Sequence, residues 1–153
     1  MSGEWRPEPF EADDGTVPFE RFIEDLSDFK FVALDMAIDR VLLVRGIDLV
    51  RTEWLKALGD GLHEFRVRHD GEEIARMFGG EVPDADGRPE RVLLRVFVHF
   101  FGRRIVLLLG GYDKGEEPKA RRQQREIAEA RRLLAQFKER QRREHPQQGR
   151  GRG

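Results

Sequence analysis

The sequence predicts an α+β domain, with two N-terminal helices on one face of a small antiparallel β-sheet and a basic helix near the C-terminus. Three observations support this class. Apolar residues recur at helical spacing in the first third of the chain, alternate with a period of two from Leu62, and form another helical stripe near the end. The 153 residues suit one domain. We place it at residues 1–138, before a basic tail at 139–153 that we expect to be disordered.

The first third predicts a strand and two helices. Residues 5–10 could form a short edge strand, because their two prolines would be hard to place inside a sheet. A first helix is expected after Pro18, which suits a first helical turn. A second runs from Phe31 to Arg45 and stops at Gly46. Residues 53–58 are expected to continue as helix or turn.

From Leu62 onward the pattern is that of strands. The dipeptide at residues 70–71, Asp-Gly, predicts a hairpin turn leading to a short run at residues 74–78. Residues 79–91 are rich in glycine, proline and acids, and predict an exposed loop. Residues 92–101 and 105–109 are the clearest strands, and a hairpin joins them. We therefore expect three or four antiparallel strands.

The last predicted helix is strongly basic. Residues 119–143 contain ten basic and three acidic side chains, whereas residues 1–40 contain eleven acidic and four basic ones. The net charge of −1 therefore conceals an acidic N-terminal segment and a basic C-terminal one. An apolar stripe includes Ile127, Ala130, Leu134 and Phe137. The helix could contact phosphates, could pack on the domain with arginine stems covering its flanks, or could bind an acidic partner.

Composition excludes several classes of site. The chain has no cysteine, which excludes disulfides, thiolate zinc sites and cysteine nucleophiles. Its four histidines lack metal-ligand spacing, and no phosphate loop or dinucleotide fingerprint occurs. We therefore expect neither a metal nor a cofactor. The first residues do not resemble a signal peptide, and no apolar stretch approaches membrane-spanning length. We expect a cytoplasmic protein without a membrane partner.

A candidate site emerges from charged residues within the predicted strands. Glu64, Arg66 and Arg68 share one strand face because side chains alternate. In strand 92–101 one face is wholly apolar, and we expect it to face the helices. The other carries Arg95 and His99 among aromatic rings, a combination typical of single-stranded nucleic-acid sites. If that face is open, replacing Arg95 should hardly change stability. Alternatively, Arg95 only pairs with a carboxylate.

Two further polar residues follow the last strong strand. Tyr112 or Lys114 could transfer protons if neighbouring charges tune its pKa. The alternative is a plain turn, because glycines and an aspartate surround both residues.

The order of these segments resembles the RelE/ParE superfamily of toxins, and most closely its HigB-like, phage-derived branch. Residues Trp54 to Arg66 resemble that family's helix end and its Gly-Leu-Tyr-Glu-Leu-Arg strand. Arg95 to Phe97 and Arg104 to Leu108 resemble its next two strands. Gly111 to Lys114 stands at its Gly-Phe-x-Lys-Lys segment, and Glu126 to Ala130 at the opening of its final helix.

The resemblance covers roughly residues 5–138 and implies a RelE-like fold. It also implies the toxin of a type II toxin–antitoxin pair, a ribosome-dependent, metal-independent endoribonuclease that cuts mRNA and inhibits translation. A helix-turn-helix or disordered antitoxin would hold it inactive. Two alternatives stay open: a non-catalytic or degenerate toxin-fold binding protein, and a gyrase-directed toxin of the ParE type. The chain departs from the family at His63, at Gly115 and at the acidic pair Glu116-Glu117, so the active site is either a variant or has lost nuclease activity.

The predicted site residues fall into two groups. Carried over by position, the catalytic group comprises Arg95, Tyr112 and Lys114. The RNA-binding group combines strand, hairpin and helix arginines, namely Arg66, Arg68, Arg104, Arg121, Arg122 and Arg125.

Overall fold

A computed structural model describes residues 4–116 and 119–144 of the chain. Five strands and five α-helical segments follow one another, and a π-helical turn (Ile38–Leu42) and a 3-10 turn (Gly46–Leu49) flank the third helix. In chain order the elements are β1 (Arg6–Pro9), α1 (Pro18–Glu24), α2 (Asp28–Ala37), α3 (Leu43–Arg45), β2 (Leu55–Gly59), β3 (Leu62–Val67), α4 (Gly71–Phe78), β4 (Leu94–Phe101), β5 (Ile105–Asp113) and α5 (Ala120–Glu144).

The five strands form one mixed sheet in the order β1-β5-β4-β3-β2. Strands β2 to β5 pair antiparallel with one another, as the hairpin pattern predicts. The predicted edge strand is confirmed as β1, but it runs parallel to β5, so the sheet is not purely antiparallel. The α+β class is therefore confirmed, although the sheet contains β2, which the sequence does not predict as a strand.

Both faces of the sheet are covered. The first face and residues of α1, α2 and α4 form the first core, with the buried apolar side of β4 at its centre. The second face, for which the sequence suggests contact with nucleic acid, is covered as well: Phe97 and its neighbours on β3 and β5 pack against the apolar stripe of α5 and form the second core. The physical reason is that a 25-residue helix with buried Leu133, Leu134 and Phe137 needs an apolar surface.

Two local predictions are also wrong. Residues 71–78 form the helix α4, not a hairpin arm, because the Asp70 side chain accepts a hydrogen bond from the Glu73 amide at 2.9 Å. The Glu73 carboxylate accepts one from the Asp70 amide at 3.0 Å. This reciprocal capping box starts a helix. Residues 55–59 form β2, whose hairpin to β3 turns at Asp60-Gly61, both with positive φ, as the tightest hairpin turns require.

The ends of other elements agree with or correct the prediction. Residues 79–91 form an exposed loop, as predicted. Helix α5 continues to Glu144 without interruption, so residues 139–144 of the predicted tail are helical and not disordered. Residues 145–153 of the predicted tail lie outside the described residues. In the part of the chain that the structure describes, no helix combines the length and the apolar character needed to cross a membrane.

Candidate functional site

Strand pairing brings three of the predicted site residues into one row across the sheet. Arg66 on β3 lies opposite Arg95 on β4, and Arg95 lies opposite Tyr112 on β5. Residues paired in this way share one face, here the face covered by α5. Arg68 and Lys114 each follow the row by two residues along their strands, and the Lys114 amide donates to the Leu93 carbonyl at 2.9 Å. We call Arg66, Arg68, Arg95 and Lys114 the arginine–lysine cluster.

One carboxylate lies among these four cations. Glu64 is fully buried, and its Oε1 accepts a hydrogen bond from Arg66 Nε at 3.0 Å and lies 3.8 Å from Arg95 Nε. Its Oε2 has no hydrogen-bond partner among the described residues. The sequence places Glu64 on the correct face but does not nominate it for the site. The signal that could have found it is its two-residue spacing from Arg66.

Arg95 is a buried group and not part of an open surface. It is 1% exposed, its Nη1 donates to the Leu94 carbonyl at 3.3 Å, and its Nε lacks a hydrogen-bond partner within the described residues. Burial lowers the pKa of Arg95, and Glu64 opposes that shift. An arginine nevertheless stays protonated at neutral pH. The alternative that Arg95 pairs with a carboxylate is thus correct, and the partner is Glu64.

Tyr112 belongs to the second core and not to a turn. It is 2% exposed, its ring stacks on Phe97 with centroids 6.1 Å apart, and the Arg122 guanidinium lies 5.3 Å from the ring centroid. Burial and the charge of Glu64 raise the pKa of the Tyr112 phenol. Its hydroxyl is therefore protonated at neutral pH, and it has no hydrogen-bond partner in the described part of the chain.

Lys114 carries the opposite shift. Partial burial lowers the pKa of the Lys114 ammonium, and the positive charges of Arg95, Arg66 and Arg68 lower it further, although Glu64 opposes them. The neutral amine is consequently more accessible than in an ordinary surface lysine. Such a group can accept a proton from a substrate.

The remaining predicted arginines do not all join the cluster. Arg104 lies in the β4–β5 turn, 5.5 Å from the centroid of the Trp5 ring. That is about 20 Å from Arg95 along β4, at the opposite end of the strand. Arg121 and Arg125 are exposed on the first turns of α5. Arg122 adjoins the cluster through the Tyr112 ring and also donates to Glu126 at 2.6 Å.

Cations in the second half of α5 hold the helix on the domain. Arg131 donates to the Leu58 carbonyl at 2.6 Å and Lys138 to the Asp60 carbonyl at 2.7 Å, so both bind the β2–β3 hairpin. Arg140 donates to a carboxylate oxygen of Asp13 at 2.7 Å. For this half of the helix the packing interpretation of the basic residues is therefore correct.

The site thus has surplus positive charge in a partly desolvated place. Arg66 and Arg95 lie 3.0 and 3.8 Å from the Glu64 carboxylate, Arg68 and Lys114 add two more positive charges, and the pKa values of Lys114 and Arg95 are both lowered. Such an arrangement is suited to an anionic ligand with several oxygen atoms, because each guanidinium presents a fork of donors to it. Within the described ranges 4–116 and 119–144, no group of three or more histidine and acidic side chains could hold a metal ion.

Comparison with known proteins does not identify the chain. No protein-family model, no curated protein and no solved structure matches it.

Proposed function

We propose that the chain binds single-stranded RNA at the arginine–lysine cluster and cleaves it without a metal ion. The biological role that goes with this is a type II toxin acting on mRNA at the ribosome, restrained by a helix-turn-helix antitoxin. One observation carries the proposal. Arg66 and Arg95 flank the Glu64 carboxylate, and the further charges of Arg68 and Lys114 leave a positive surplus beside a protonated tyrosine at one end of the sheet. The resemblance to HigB-like toxins supports the same chemistry.

The cleavage step needs only groups of RNA and of this cluster. The ribose 2′-hydroxyl attacks the adjacent phosphorus, the bond from phosphorus to the 5′-oxygen breaks, and a 2′,3′-cyclic phosphate and a free 5′-hydroxyl result. Lys114 is the group suited to take the proton of the 2′-hydroxyl, because its lowered pKa makes loss of its own proton easier than in an ordinary lysine. Arg66 and Arg68 neutralise the non-bridging oxygens, where charge accumulates in the transition state. The protonated Tyr112 hydroxyl is suited to donate a proton to the leaving 5′-oxygen.

A second candidate function is RNA binding without cleavage. It is favoured by the burial of the two groups deepest in the site, since Arg95 and Tyr112 are 1% and 2% exposed under α5. A strand lying on the surface would then contact Arg66, Arg68 and Lys114 alone. Cleavage would require the first turns of α5 to move away from Tyr112.

The test is a translation reaction that contains ribosomes and the full chain, in which transcript ends are mapped. Cleavage with 2′,3′-cyclic phosphate ends is expected. Arg68→Ala should lower the cleavage rate by about 10- to 100-fold, the equivalent of one charge-assisted hydrogen bond. It should also lower the slope of log affinity against log salt by about 0.7. Arg76→Ala, which removes an exposed arginine of α4 on the other face, is the matched control.

Each outcome of this test separates the candidates. RNA that stays intact but is bound by the wild type supports the binding function and refutes cleavage. The gyrase-directed alternative needs a companion experiment in which the chain is induced in cells, where growth arrest with broken DNA and intact transcripts would favour it. Equal losses in Arg68→Ala and Arg76→Ala would refute a site at the cluster.

A further inference from the structure

The segment that carries Lys114 also carries acids that would oppose RNA. Asp113 and Glu116 lie within two residues of Lys114, and negative charge there would weaken phosphate binding. Glu117, the other half of the acidic pair, lies outside the described residues. How the chain keeps these acids apart from the cluster is therefore a question about Asp113 and Glu116.

Lys30, from α2 on the other face of the sheet, binds both of them. Its Nζ lies 2.6 Å from Asp113 Oδ2 and 3.2 Å from Glu116 Oε1. A third acid, Glu90 of the 79–91 loop, lies 3.5 Å from Nζ and also accepts a hydrogen bond from the Ser27 hydroxyl. Lys30 is only 6% exposed. We call these three acids and their lysine the Lys30 cluster.

The two acids depend on Lys30 to different degrees. Asp113 lies opposite Leu94, whose side chain belongs to the first core, so strand alternation already directs Asp113 away from the arginine–lysine cluster. Glu116 follows the strand in a turn, and its side chain is 73% exposed. Among the described residues Glu116 pairs with Lys30, and this ion pair holds its carboxylate on the α2 side.

We propose that Lys30 is a positioning residue that keeps the acids around Lys114 on the α2 side, so that RNA meets only cations at the arginine–lysine cluster. This inference rests on the proposed RNA function. The segment 112–116 then sends opposite charges to opposite faces of the sheet. Tyr112 and Lys114 lie on the α5 face, whereas Asp113 and Glu116 lie on the α2 face. Burial alone would lower the pKa of Lys30, yet the hydrogen bonds from its ammonium to Asp113 and Glu116 raise it, so the ammonium stays charged.

The first test measures the affinity of an uncleavable 2′-O-methyl RNA oligonucleotide. Lys30→Met should weaken binding by about tenfold, because at least one freed carboxylate then lies within a Debye length of the bound phosphate. Adding Asp113→Asn and Glu116→Gln to Lys30→Met should restore affinity to within about threefold of the wild type. Asp70→Ala, which removes the capping box of α4, is the control for lost stability without lost charge separation.

A second variant does not depend on whether Lys30→Met folds. The pair Asp113→Asn with Glu116→Gln, made in the wild-type background, removes both acids while Lys30 remains. If Lys30 already separates them from the RNA, affinity should stay within about twofold. A gain of tenfold would show that the acids oppose RNA in the wild type and would overturn the proposal.

A third measurement does not need RNA. The pKa of Lys114 can be followed by NMR of isotope-labelled lysine side chains. The charged groups that act on it in the wild type are Arg66, Arg68, Arg95 and Glu64. Lys30→Met should raise it, and the neutralising pair should reverse that rise. If Lys114 responds but the wild type binds no RNA, the proposed function fails and the positioning role stands. Lys30→Met could instead lower the melting temperature and leave the Lys114 pKa and the RNA affinity unchanged. That result would overturn the positioning role and show that Lys30 only stabilises the fold.

Discussion

Replacing Arg95 by alanine tests the central feature of the site, a buried guanidinium beside a buried carboxylate. If the second sheet face were open, this substitution would hardly affect stability. The structure instead places Arg95 under α5, with its Nε 3.8 Å from Glu64 Oε1. Arg95→Ala should therefore lower the free energy of unfolding substantially, in addition to any effect on RNA.

The size of the loss follows from two contributions. Removing one partner of a buried ion pair costs about 3–5 kcal/mol when nothing replaces it. Here Arg66 Nε remains 3.0 Å from Glu64, so only a part of that cost applies. The lost methylene groups of the Arg95 stem add about 0.8 kcal/mol each. We expect a total near 3 kcal/mol, a large fraction of the roughly 5–15 kcal/mol by which a domain is stable.

The assay is urea unfolding at pH 7, followed by the fluorescence of Trp54 in the first core. Arg68→Ala is the matched control, because Arg68 is exposed at the same end of the sheet and should change stability by less than about 0.5 kcal/mol. A double-mutant cycle of Arg95→Ala with Glu64→Gln should give a coupling free energy of about 1–3 kcal/mol. A loss below about 0.5 kcal/mol in Arg95→Ala would refute both the burial of Arg95 and the position of α5.

Three further predictions use the same unfolding assay. Tyr112→Phe should leave stability unchanged or raise it by up to about 1 kcal/mol, because the deleted hydroxyl is buried and has no partner among the described residues; a loss above that amount would reveal a hydrogen bond. Lys114→Met should raise the urea midpoint at pH 7, since burial and Arg95 hold the pKa of Lys114 below 10.5 and its protonation opposes folding. The gain in stability over the wild type should fade as the pH rises from the lowered pKa to 10.5. A gain that grows in this range would mean that folding raises the pKa of Lys114 and does not lower it. Asp70→Ala should cost about 1 kcal/mol and leave RNA affinity unchanged.

Much of the sheet could be predicted because its strands show their own alternation. The prediction places β4 within two residues of its start, finds the hairpin to β5, and puts Arg66 and Arg95 on one face. Alternation, however, describes a strand and not its surroundings. Phe97 alternates with Val96 and Val98 equally well under a helix or under RNA, and only the apolar stripe of α5 decides between them. The alternation within β4 therefore could not predict that Arg95 is buried.

The wrong assignment of α4 has a different cause, because the deciding signal is local. Asp-Gly fits a hairpin turn, but aspartate is also a preferred helix N-cap. Glu73, three residues after Asp70, completes a capping box and favours the helix. The short strand β2 offers no comparable signal, since its Leu-Lys-Ala-Leu stretch suits a helix as well as a strand. Its pairing with β3 and the turn at Asp60-Gly61 determine its structure.

The surplus charge and the unpaired buried atoms of the arginine–lysine cluster are stronger evidence for a bound anion than the presence of arginine and lysine alone. A fold selected only for stability would not keep Lys114 beside three arginines, nor leave Arg95 Nε and Glu64 Oε2 buried without hydrogen-bond partners among the described residues. Each such buried atom costs about 1–3 kcal/mol. Once the first turns of α5 have moved, a phosphodiester could accept a hydrogen bond from Arg95 and neutralise Lys114, and binding to the folded state alone would return stability to the protein. We also expect Lys114→Met to weaken RNA binding, so its gain in stability and its loss of binding are two consequences of the same surplus charge.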